Sequence, residues 1–528
     1  MTDRQKKLAR AALIVAAVTA VSRVLGLVRE IITAKYYGTT LKYDVFVSLS
    51  VIPNLISQLF ADAAVAAAFV PVFTGLLVKG DHQRAHDLAA KLLGFMLVVV
   101  GGVTAVMLIV APWLAHAAYP KLTTGAAMQS FAGGLLRVLV PIILLLSVSG
   151  VVNGILYSFE RFTMPAVVSV VWNMVIISAI AVFHGSAAHP RVTVIAWGML
   201  VGTAVQLLLL LWATRGLDFK LSLKLDFRDS LLRKVLLLMV PITITLGVLN
   251  FNALVDTFFA QFVSSRAAAQ IGYAFRLYQL PQGIFAVTIG AVLFPSLSRF
   301  AALKDFGRFR ETISAGTRQL LFVTLPFVVW FVVLPGPFVR LIYQRGQFDS
   351  SATRHVAYAL TFFAVGLIFS NANIMFNRGF QSLQRPWLPL GVALLNLALN
   401  AVLDLALYKP LGVGGITLST SLVSLLNLAA LMWLMRRQIG TIDGRRIASS
   451  ALLIAGCGLA LGAASWLVWL ALRGFAQHGQ LPLLGTMLAV LAAGVAAYLA
   501  AARLLGVGEL TQIVSLLRHR RPPSAEQA

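Results

Sequence analysis

A single cysteine, Cys457, in 528 residues excludes an internal disulfide, and alone it cannot build a thiolate metal site. Set in an apolar run, it reads as a small packing residue. Histidine is sparse too: the eight are scattered, mostly in loops, and no HExxH, GxSxG or P-loop pattern is present. No catalytic constellation emerges, so no enzyme is expected, and uphill movement would have to draw on an ion gradient or the membrane potential. Acids are outnumbered, 18 Asp and Glu against 43 Lys and Arg, for a formal net charge of +25. Such an excess serves nucleic acid or membrane lipid, and the position of the cations decides which. They sit in loops between apolar runs, so no nucleic-acid partner is expected. Charged residues of either sign make up only 12% of the chain against 59% hydrophobic, a ratio that no soluble globular protein of this length can present to water. The class is integral membrane.

The basic opening, Met1 to Arg10, leads into an apolar stretch as a secretory signal would, but that stretch carries Arg23 and Arg29 and lacks a small-residue cleavage pattern. It reads as the first span. Windows long enough to cross about 30 Å of hydrocarbon fall near residues 11–36, 43–78, 88–117, 129–158, 163–185, 191–214, 232–264, 268–299, 310–338, 352–382, 386–408, 412–435, 448–472 and 481–505. About 14 transmembrane helices are therefore expected; barrel strands are too short and too alternating to match these runs. Sorted by alternate loops, roughly 29 Lys and Arg fall on the side of the N-terminus and roughly 10 on the other, which predicts that both termini are cytoplasmic. The loop between windows 9 and 10, with Arg340, Arg345, Asp349 and Arg354, is more basic than its side predicts. Arg23, Arg29, Arg137 and Arg276 are left at membrane depth.

The chain repeats itself at an offset of about 224 residues, as transporter folds often do. Pro71 matches Pro295, Asp81 matches Asp305, Arg84 matches Arg308, Asn153 matches Asn377, Arg161 matches Arg385 and Pro165 matches Pro389. Six spans per copy, an even number, give both copies the same orientation. The expected fold is all-α: two parallel-repeat six-helix lobes, residues 1–220 and 221–440, two further helices over 441–510, and a basic cytoplasmic tail over 511–528.

A permanently charged arginine at membrane depth costs at least about 2.5 to 3.5 kcal/mol on insertion scales, so it faces a partner, a watery cavity or an interface. Arg23 and Arg29 are about 600° apart around a straight helix. A break at Gly26 would bring them toward one cavity; the alternatives are snorkelling, or local pairing such as Arg29 with Glu30. Guanidinium groups suit a diphosphate, which accepts paired charge-assisted hydrogen bonds. The acids expected at depth are Asp44, Asp62, Asp256 and Asp404. Asn400 and Asp404, four apart, share a helix face. With Asp256 and Thr420 they offer hard oxygen ligands for a small cation, or they hydrogen-bond between helices.

Several stretches resemble the MurJ (MviN) lipid II flippase family, within the multidrug/oligosaccharidyl-lipid/polysaccharide exporter superfamily. They are Ser22-Arg23-Val24-Leu25-Gly26 with Arg29, Tyr43-Asp44-Val45-Phe46, Pro53-Asn54-Leu55, Ala68-Phe69-Val70-Pro71, Arg161-Phe162 with Pro165, Phe294-Pro295-Ser296-Leu297-Ser298, and Tyr343 to Phe348 with Gly346. The resemblance implies 14 helices, a cationic cavity, and a groove at the last two helices for a polyprenyl tail. It implies that Arg23, Arg29 and Arg276 bind the substrate diphosphate, with Asn54 as a further substrate-binding residue, and that Asp44 acts as a gate or counter-charge. It implies a possible sodium site of Asp256, Asn400, Asp404 and Thr420 with the Ile416 carbonyl, and no other cofactor. The expected activity is alternating-access movement of lipid II across a bacterial inner membrane, by a monomer whose partners are lipid II and membrane lipids. A flippase for another polyprenyl-linked oligosaccharide and a cation-coupled drug exporter are the rivals. Two departures bear on that choice: Ser57-Gln58 stands where members often carry a further arginine, and Phe275 and Gln279 stand where acids flank the arginine matching Arg276.

Overall fold

The structure, a computed structural model, describes residues 3–60, 62–186, 191–217 and 222–510; the expected tail at 511–528 lies outside the described residues, as does the side chain of Asp62. Among the described residues the chain is helical, with no β-strand. Packing divides it into two compact units, one of residues 1–269 with 345–349 and one of residues 270–344 with 350–528.

In the first unit the helices run in order as α1 (Asp3–Tyr37), α2 (Leu41–Phe60), α3 (Asp62–Val78), α4 (His82–Phe95), α5 (Gly101–Ala118), α6 (Ala126–Leu139), α7 (Pro141–Ser158), α8 (Thr163–Phe183), α9 (Thr193–Thr214) and α10 (Ser230–Val263). A wider turn at Met96–Val100 joins α4 to α5 without a break. Helix α1 packs on α8, α8 on α9, α3 on α7, and α10 on α2 and α3. Next comes α11 (Ala267–Pro281), which opens at the end of this unit and continues into the second.

The second unit then holds α12 (Val287–Ala302), α13 (Phe306–Val333), α14 (Pro335–Tyr343), α15 (Ser350–Ser382), α16 (Trp387–Leu411), α17 (Val413–Ile439), α18 (Gly444–Ala476) and α19 (Gln480–Leu504). Its core gathers Phe309, Ile313, Met375, Phe376 and Phe380. A second cluster, containing the buried Cys457 as a packing residue, seats α18 and α19 on α13. There Tyr498 donates to the Phe322 carbonyl at 2.8 Å and Trp330 to Ser465 at 3.0 Å.

Ten helices among the described residues are long and apolar enough to cross a membrane, and each lies on an expected window. The other four windows are helical as well, on α1, on α2 with α3, on α10, and on α11 with α12; the last three retain the shorter apolar stretches Ala68–Val78, Phe251–Val263 and Val292–Ala302. Prolines 71 and 295 both lie inside helices, where neighbouring helices can satisfy the freed carbonyls.

The internal repeat is written into the backbone. Asp81 caps α4 by accepting from the Arg84 N–H at 3.3 Å, and Asp305 caps α13 by accepting from the Arg308 N–H at 3.0 Å. Gly80 and Lys304 precede these caps with φ of 75° and 55°; Glu160 and Gln384, again matched, have φ of 58° and 57°. Two independent stretches of chain thus adopt the same rare left-handed turns at the same places, including at non-glycine residues that pay for the conformation in strain.

The segment Arg345–Asp349 belongs to the first unit although α14 and α15 flank it. Gln347 donates its N–H to the Lys35 carbonyl at 2.9 Å. Gly346, at φ +57°, lies so close that a Cβ would sit 2.3 Å from that same carbonyl oxygen, which requires glycine there. The basic loop between α14 and α15 is therefore docked on the end of α1.

Candidate functional site

Helix α1 is unbroken from Asp3 to Tyr37, so of the readings left open, a break at Gly26 is not the one formed. Intact hydrogen bonding keeps Arg23 and Arg29 on different faces, and their surroundings differ accordingly. Arg23 is exposed. Arg29 is half-buried, bonds Glu30 at 2.8 Å, and lies over the Trp172 ring at 4.9 Å from its centroid. Of the two alternatives left open for Arg29, the local pair with Glu30 is the one formed. Asn54 is exposed on α2, directly after the in-helix Pro53. Asp44, in the first turn of the same helix, is fully buried. One carboxylate oxygen accepts from the Ala269 N–H at 2.6 Å, and the other has no hydrogen-bond partner among the described residues. Asp256 is half-buried on α10.

In the second unit Arg276 is exposed on α11, with Gln279 at 3.5 Å from a guanidinium nitrogen. Asn400 and Asp404 are buried on α16, and the Asn400 amide donates to Asp404 at 3.3 Å, as their four-residue spacing predicts. On α17, Thr420 donates to the Ile416 carbonyl at 3.3 Å. These four groups supply carboxylate, amide, hydroxyl and carbonyl oxygens, the chemistry a hard monovalent cation selects. Among the described residues no three His, Cys, Asp or Glu side chains gather as a metal cluster, and the expected set holds only two carboxylates.

Three charged arrangements escape a reading by hydropathy. Arg318 is buried, not a loop cation, and pairs with Glu509, which also accepts from Ser450 at 3.0 Å. Lys91 bonds both Asp226 and Asp229, at 3.0 and 2.7 Å. Arg378 lies over Phe294 at 5.6 Å. The only sequence signal for the first is that Arg318 falls twelve positions into a helix and Glu509 is an acid just beyond the last span.

The profile of the family described as lipid II flippase MurJ matches residues 33–512, nearly the whole chain. The chain belongs to the lipid II flippase MurJ family. Among MurJ relatives, the probable lipid II flippase MurJ of Vibrio cholerae is 28% identical over 524 residues, covering 95% of this chain and 97% of its own length. The lipid II flippase MurJ of Burkholderia cenocepacia is 28% identical over 426 residues, covering 79% and 82%. A solved lipid II flippase MurJ in an inward closed conformation shares the fold at a TM-score of 0.77 and 21% identity, covering 93% of this chain and 98% of that one. An inward-facing MATE family multidrug resistance transporter of the MOP superfamily shares it more loosely, at a TM-score of 0.66 and 15% identity over 81% of this chain. MurJ membership makes this a multi-pass transporter of the inner membrane.

Proposed function

We propose that this chain is a lipid II flippase, carrying the undecaprenyl-diphosphate-linked peptidoglycan precursor from the inner to the outer leaflet by alternating access. The observation that carries the reading is the family match over residues 33–512. Arg23 and Arg276 are both exposed, which leaves their guanidinium groups accessible to an anionic headgroup. In this reading Arg23, Arg29 and Arg276 engage the diphosphate through charge-assisted hydrogen bonds, and Asn54 is a further substrate contact. Arg29 exchanges its contact with Glu30 for the substrate. Asp44 is the gate or counter-charge, and a sodium ion held by Asp404, Asn400, Thr420, the Ile416 carbonyl and Asp256 biases the cycle by differential binding to its states. The chain acts as a monomer without covalent chemistry, both termini are cytoplasmic, and the last two helices serve the polyprenyl tail.

The test is to deplete the resident lipid II flippase of a bacterial host, express this chain, and follow lipid II at the outer leaflet together with survival. Rescue that disappears in an Arg23→Ala, Arg29→Ala, Arg276→Ala variant expressed at the wild-type level supports the assignment. Rescue that persists in that variant overturns the role of the arginines. Correct membrane insertion without rescue, in a host of matched cell-wall chemistry, points instead to another polyprenyl-linked glycan, the rival that Ser57-Gln58 brings into play.

A further inference from the structure

The connection ahead of α10 leads into a cationic pocket lined by none of the residues assigned to the substrate. Its residues 222–229 are fixed on α4: Lys224 donates its N–H to the Ala90 carbonyl at 3.2 Å and its ammonium to Asp87 at 2.5 Å, and Phe227 meets Phe95 edge to face. The contact is so close that a Cβ on Gly94 would lie 2.2 Å from the Lys224 carbonyl oxygen. Both acids of residues 222–229 are already engaged. Lys91 takes Asp226 and Asp229, and Asp229 also caps α10 by accepting from the N–H groups of Leu231 and Leu232 at 2.9 and 2.8 Å. Arg228, Arg233 and Lys234 are left with no acidic partner among the described residues, and all three line one cavity of about 390 Å³ with Ser230, Leu237 and Leu238.

Residues 230, 233, 234, 237 and 238 recur at the spacing that puts them on a single helix face. Along that face the chemistry changes with depth. Hydroxyl and cations occupy the first turns of α10, and exposed leucines follow one turn further into the apolar part of the helix. A free phosphate would use the upper half of this stripe and gain nothing from the lower. A molecule with a phosphate at one end and acyl chains at the other uses both, and basic pockets at the ends of membrane helices bind anionic headgroups by this combination.

We propose that this pocket binds an anionic phospholipid of the surrounding bilayer, with its phosphate against Arg228, Arg233 and Lys234 and its acyl chains along Leu237 and Leu238. The site is independent of the substrate arginines, so its occupancy and the flippase reading stand or fall separately.

The experiment uses full-length protein, purified in detergent and delipidated, with bound lipid read by native mass spectrometry. The probes are phosphatidylglycerol, phosphatidylcholine of the same chain length, inorganic phosphate, and undecaprenyl diphosphate. Phosphatidylglycerol should bind selectively, and an Arg228→Gln, Arg233→Gln, Lys234→Gln variant should lose roughly tenfold to a hundredfold in affinity for it. An Arg436→Gln, Arg445→Gln, Arg446→Gln control, with equal charge loss, should retain it. Equal loss in the control, equal binding of phosphatidylcholine, or binding of inorganic phosphate as tight as that of the lipid would each overturn the proposal. Displacement of phosphatidylglycerol from these residues by undecaprenyl diphosphate at lower concentration would reassign the pocket to the substrate. Should the triple variant not fold, photoreactive phosphatidylglycerol on the unaltered protein decides: crosslinks at Leu237 and Leu238 support the site, and crosslinks confined elsewhere refute it.

Discussion

Asp44 accepts a hydrogen bond at 2.6 Å from the backbone N–H of Ala269, 225 residues away in sequence. Ala269 lies in the first turn of α11, where N–H groups have no partner within the helix and the positive end of the helix dipole favours a carboxylate. A fully buried acid on one helix therefore caps the start of another. Asp44→Ala should leave that N–H unsatisfied and cost about 1 to 3 kcal/mol, seen as a lower melting temperature in detergent. Asp44→Asn keeps an acceptor oxygen and should retain most of the stability. If Asn is as destabilising as Ala, the capping role is wrong.

The Lys91 pair gives the protein an acid-sensitive joint. Asp226 is held below the usual carboxylate range chiefly by the hydrogen bond from Lys91. Burial alone would raise Asp229, but Lys91 and the Leu232 and Leu231 N–H groups outweigh it and hold Asp229 low as well. A carboxylate depressed in the folded state contributes stability that is complete above its unfolded value and is lost as pH falls through the folded value. Melting curves taken from about pH 7 down to about pH 3 should show a loss of stability below the ordinary carboxylate value, and Lys91→Met should shrink that loss. An unchanged pH profile in the variant would refute the linkage.

Arg318 and Glu509 hold the last two helices to α13. Their side chains are 10% and 2% exposed, so removing one leaves the other charged and buried. Arg318→Met should cost about 3 to 5 kcal/mol, whereas Arg318→Met with Glu509→Leu should recover most of it, since a paired buried charge can be exchanged for apolar packing. Limited proteolysis between α17 and α18 reports the docking. Equal damage in the single and double variants would mean that the pair contributes geometry that apolar side chains cannot replace.

Sodium should stabilise the protein if Asn400 and Asp404 form part of a cation site. At about a hundredfold excess over its dissociation constant, a bound ion adds about 2.7 kcal/mol. The melting temperature should rise in sodium chloride relative to choline chloride of equal ionic strength, and Asp404→Asn should abolish the difference. A rise of the same size in the Asp404→Asn variant would exclude the site.

Much of this was legible beforehand, and the reason differs from case to case. The windows on α13 and α15 to α19 could be read because lipid admits only long apolar helices with internally satisfied backbones. Asp81 and Asp305 could be matched because a cap is a local device whose residue type is set by the turn it closes. Arg29 was ambiguous from sequence: the Glu30 that pairs with it is adjacent in the chain, but an arginine at membrane depth equally suits a cavity. Whether Gly26 breaks its helix could not be read from sequence either, since glycine within an apolar helix permits close packing without requiring a bend.

The sequence by itself determined the membrane class, the helical content and the internal repeat, all of which follow from hydropathy and spacing along the chain. Only the tertiary structure decided which charge meets which. Lys91 meets Asp229 across 138 residues, Arg318 meets Glu509 across 191 and Asp44 meets Ala269 across 225. Hydropathy records the cost of burying each of these groups but not the identity of its partner, because the partner is brought within a few ångströms by the packing of other helices and not by the chain that joins the two.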